Sequence, residues 1–60
     1  MDKKVLDEIN GNIARATAKL SEIDDAIKRA RIAGIPIEAI MTRRVELATK
    51  INRMKRAFGV

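Results

Sequence analysis

The chain has 60 residues, 47% of them hydrophobic and 35% charged, with a net charge of +5, no cysteine, no histidine and one aromatic residue, Phe58. This composition excludes a disulfide framework and the thiolate and imidazole ligands of common zinc sites, and it leaves no nucleophile–histidine constellation for catalysis. A core of this size buries only about 60% of the surface the unfolded chain exposes, so stability has to come from close helix packing or from a partner subunit.

Asp2 suits the N-cap of a first helix, and Asp7 and Glu8 lie towards the positive end of its dipole. Apolar or alanine positions then recur at Leu6, Ile9, Ile13, Ala16, Leu20, Ile23, Ile27 and Ala30, alternately three and four residues apart. That is a heptad stripe, confined to the narrow arc of a coiled-coil seam. It predicts a helix over residues 2–33. The triplet Asn10-Gly11-Asn12 opposes this, because glycine costs about 1 kcal/mol in a helix interior and asparagine is a weak helix former. A break there would fold residues 2–9 back as a third short helix. The stripe passes through the triplet without a skip, and the expectation is one continuous helix.

Gly34 and Pro36 punctuate the chain, the glycine suiting the left-handed residue after a helix and the proline the first position of the next. A turn at residues 34–35 forces an antiparallel second helix over residues 36–58, with Ile37, Ile40, Leu47, Ile51, Met54 and Phe58 on one face. Folding back there sets Ile40 against Ala30, Leu47 against Ile23, Ile51 against Leu20 and Met54 against Ala16. Phe58 falls near Gly11 and Asn12, where a missing side chain leaves room for the ring. The fold class is all-α, a single helical-hairpin domain over residues 1–60.

In this register the second helix covers the first only back to about Asn12. Val5, Leu6, Ile9 and Ile13 therefore form the expected oligomer interface, and the expected assembly is a four-helix dimer.

Charge is distributed unevenly. Residues 1–27 carry four basic against six acidic side chains, whereas residues 41–60 carry six basic ones against Glu46 alone. Arg43, Lys50, Arg53 and Arg56 share one side of the second helix over an arc of roughly 140° at 100° per residue, a stripe suited to nucleic acid or an acidic protein. Glu46 interrupts that stripe, and no aromatics are interleaved for base stacking. Arg44 falls instead in the angular range of the apolar residues, and the register sets it opposite Asp25 as a seam ion pair.

Two further patterns read as structural. Glu22, Asp24 and Asp25 could offer oxygen ligands, but their spacing scatters them around the helix axis, as on a solvated face. Ala30, Gly34 and Ile40 match three positions of a helix-turn-helix, which would make residues 36–44 a recognition helix. Arg29 and Arg43 stand where that motif wants apolar residues.

The sequence thus predicts a soluble cytoplasmic module without a catalytic site, cofactor, metal or membrane span. It acts as an oligomerisation or adaptor hairpin through its seam, the alternative being a nucleic-acid-binding regulator that uses the basic stripe in a dimer.

Overall fold

A computed structural model describes residues 2–59. Two helices are packed against each other as a hairpin, α1 (Lys3–Ala33) and α2 (Glu38–Phe58).

α1 starts where the sequence places it. Asp2 is extended, its carboxylate accepts the Lys4 N–H at 3.2 Å, and its carbonyl accepts the Leu6 N–H to close the first turn. The first turn carries Lys3 and Lys4 and no acidic side chain. Asp7 and Glu8 therefore lie too far along α1 to act strongly on its dipole, whose effect fades within one turn.

The helix runs unbroken through Asn10-Gly11-Asn12. Arg15 Nη2 donates to Asn12 Oδ1, so the asparagine amide is engaged along the helix and does not compete for the backbone. The group closest to where a Cβ would stand on Gly11 is the Arg15 guanidinium, at 3.4 Å. Room for the Phe58 ring is thus not the role of this glycine.

The turn differs from expectation in one respect. Gly34 is left-handed, with φ 73°, and donates to the Arg31 carbonyl, while Ile35 N–H reaches back to the Ala30 carbonyl at 2.9 Å. These two bonds form the Schellman closure of α1. Pro36 belongs to that ending and does not begin α2: it stands two residues beyond the capping Gly34, and the residue before a proline is held out of the helical region. Residues 34–37 form the link, Ile37 caps α2 without a side-chain bond, and Met41 N–H closes the first turn on the Ile37 carbonyl at 2.8 Å. Glu38 at the start of α2 and Lys55 and Arg56 at its end complement its dipole.

The hairpin measures 48 × 15 × 12 Å, and its long axis is the length of α1, about 46 Å at 1.5 Å per residue. So slender a shape has no room for helices crossing near a right angle, which removes the helix-turn-helix reading. The radius of gyration is 14.3 Å, against about 10.4 Å for a compact domain of this length.

The seam is the one the heptads specify, but it is thin. Ile13, Ile27, Ala30 and Ile51 are buried, and no side chain among the described residues is wholly enclosed. Ala16, Leu20, Ile23, Ile40, Leu47, Ala48 and Met54 are half-buried. One helix can cover only one side of another, and the flanks of the seam stay open.

Candidate functional site

The two helices share one end, at the link, and differ in length by 31 residues to 21, so α1 projects about 15 Å beyond α2. α2 ends at Phe58 in a left-handed Gly59 whose N–H bonds to the Lys55 carbonyl. On the projecting part Val5 is 42% exposed, and Leu6 and Ile9 are half-buried. Ile13 does not belong with them. It is buried in the hairpin's own seam, because α2 still runs alongside α1 at that level, and it is not free to face a partner.

Arg44 is half-buried at the seam edge and donates from Nε to Asp24 Oδ1. The expected partner was Asp25. Successive residues on a helix lie 100° apart, so when Asp24 sits on the seam flank facing Arg44, Asp25 is carried round to the outside. There Asp25 is exposed and lines a shallow depression with Glu22, Ala26 and Arg29. Glu22, Asp24 and Asp25 do not converge, and among the described residues no cluster of three or more metal-ligating side chains occurs.

On the flank away from Asp24 the helices leave an open groove of about 600 Å³. Ala16 and Ile23 from α1 and Leu47 from α2 supply its apolar lining, and Arg15, Lys19, Arg43, Lys50 and Glu46 supply the charges. Four cations against one carboxylate make it a basic groove with an apolar floor. Arg43 and Lys50 of the expected stripe meet here. Arg53 and Arg56 are exposed outside it.

Arg15 and Lys19 stand on α1, outside the stripe that the sequence of the second helix presents. Their signal is nonetheless present: Lys19 stands three residues after Ala16 and four before Ile23, on the flank of the seam that the groove occupies.

Other large apolar side chains are exposed towards the link, Ile32 at 88%, Val45 at 58% and Ile35 at 56%, with Met41 also exposed. On α2, Met41, Val45 and Ala48 follow the capping Ile37 at spacings of four, four and three, a stripe beside the seam.

No protein-family model matches the chain, and comparisons with curated proteins and with solved structures give no match either. The hairpin is a small helical pair with exposed apolar residues at both ends. No helix among the described residues is long and apolar enough to cross a membrane.

Proposed function

We propose that the chain is a non-enzymatic self-association module, a hairpin that joins a second copy to make a helical bundle. The observation that carries this reading is the length difference between the helices, which leaves Val5, Leu6 and Ile9 on a helix surface that α2 does not reach. In a single hairpin this stripe stays partly in water, with Val5 42% exposed and Leu6 and Ile9 half-buried, and so adds little to holding the first turns of α1 in place. Packed against another hairpin, each such side chain gains a part of the about 1.5–3 kcal/mol that full burial from water contributes.

The accessible surface supports the same reading. It is 4804 Å², whereas a compact monomer of 6.7 kDa exposes about 3,900 Å². The difference, about 900 Å², matches the roughly 800 Å² that each partner loses in a standard interface. Sedimentation at micromolar concentration tests the proposal. A dimer is expected, and a folded monomer refutes it.

A nucleic-acid-binding reading is favoured by one observation, the four cations gathered round the groove. Titrating generic RNA and DNA against salt separates the two. Binding with a steep negative slope of log affinity on log salt supports it, and no binding at low ionic strength removes it.

A further inference from the structure

We infer that the basic groove is the seat of the α1 overhang of a second copy, so that two hairpins exchange overhangs across a twofold axis near Asn12. This deepens the self-association reading and rests on it: that reading says the hairpin pairs, and the present inference says through which surfaces and in which direction.

The fit begins with length. The groove runs along α1 from Arg15 to Ile23, about 12 Å at 1.5 Å per residue, and the overhang that would fill it projects about 15 Å. It continues in chemistry. The floor of Ala16, Ile23 and Leu47 is apolar and open on one side, and the overhang offers Val5, Leu6 and Ile9, which nothing in the hairpin covers fully. Each surface supplies what the other lacks.

Charge then sets the direction. Val5, Glu8, Asn12, Arg15 and Lys19 are spaced by three, four, three and four residues and form one continuous stripe along α1, beside the seam. The stripe is acidic before Asn12 and basic after it. Two such stripes laid parallel put Glu8 against Glu8 and Arg15 against Arg15. Laid antiparallel about Asn12, they put each Glu8 beside Arg15 and Lys19 of the other copy and bring Ile9 to the level of Ala16.

Glu8 is exposed, so it is available to a neighbour. The Arg15 guanidinium is already drawn towards the axis by Asn12 Oδ1. Because the same patch serves both copies, the contact closes on itself and stops at a dimer. Seated in this way, Glu8 meets the net positive rim that Glu46 alone does not balance.

The absence of cysteine makes the test direct. Two differently tagged chains, one carrying Ile9→Cys and the other Ala16→Cys, are mixed and oxidised, and disulfide-linked heterodimer is measured on a non-reducing gel. Each chain has a single thiol, so every disulfide joins two chains. The control pairs Ile9→Cys with Ala18→Cys, on the outer face of α1. The expected result is a heterodimer yield several times that of the control.

A second arm uses charge. Glu8→Arg and Arg15→Glu are each expected to weaken dimerisation about tenfold, since two symmetry-related pairs are lost and each exposed pair contributes up to about 1 kcal/mol. An equimolar mixture of the two variants is expected to restore it. If sedimentation shows a dimer but the cross-link does not exceed the control and the mixture shows no rescue, overhang seating is overturned while self-association stands. A chain that stays monomeric, or one whose groove takes up RNA or an acidic peptide instead, overturns both.

Discussion

Arg44 Nε donates to Asp24 Oδ1 at 2.5 Å across twenty residues of sequence, tying the first half of α2 to α1. Both side chains keep about 40% of their surface in water, so the pair is screened and worth about 0.5 kcal/mol. A double-mutant cycle with Asp24→Asn and Arg44→Gln should return a coupling of that size, shrinking in molar salt. The same cycle built on Asp25 should return none, because Asp25 faces outward.

Two glycines should respond to alanine in opposite directions. Gly34 is held at φ 73°, where a Cβ is strained although the space around it is empty, and Gly34→Ala should destabilise the hairpin by about 1 kcal/mol. Gly11 lies within α1, and the three atoms nearest to a Cβ there all belong to the flexible end of Arg15. Gly11→Ala should therefore stabilise by about 0.5–1 kcal/mol. Urea unfolding followed by far-ultraviolet circular dichroism reads both.

The thin core makes single side chains decisive. Ile51 is the most buried of the described residues, at 5% exposure, and Ile51→Ala should cost about 2–4 kcal/mol, enough to unfold much of so small a hairpin. Val45→Ala, on the exposed flank of the same helix, should change stability by less than about 0.5 kcal/mol. Thermal melts of the two variants side by side give the comparison.

Asp2 caps a stretch of helix that α2 does not cover. Asp2→Ala should cost about 1 kcal/mol of local helix stability, but in an isolated hairpin the loss should be confined to fraying of the first turns. Hydrogen exchange should speed up at residues 6–9 and leave residues 13–30 unchanged. If the overhang is seated in a second copy, the same substitution should also weaken the dimer.

Leu6→Ala and Ile9→Ala should act on association and not on the hairpin. Neither residue is buried within one chain, so each variant should unfold like the parent at high dilution. Each should raise the dimer dissociation constant by tenfold or more, since about 1.4 kcal/mol of lost burial is a factor of ten. Concentration-dependent sedimentation distinguishes the two effects.

The sequence by itself determined the elements whose causes are local. Alternating apolar spacing gave α1 its seam, Asp2 its start and Gly34 its end, because heptads, caps and left-handed glycines act over a few residues. The unbroken passage through Gly11 was legible too, since the stripe kept its phase there. The beginning of α2 was not: Pro36 is compatible both with starting a helix and with following a Schellman ending, and only the backbone bonds from Gly34 and Ile35 decided between them.

Tertiary structure alone decided which neighbours meet. Asp24 and Asp25 are adjacent in sequence but 100° apart on the helix, so a small rotation of α1 against α2 chose the partner of Arg44. The same rotation brought Arg15 and Lys19 beside Arg43 and Lys50 round one groove, while the level at which α2 stops buried Ile13 and left Val5 exposed. Periodicity names the face that a helix buries. It does not give the angle at which two such faces dock, and that angle, set by side-chain packing along the whole seam, is what turned a set of scattered cations into a single surface.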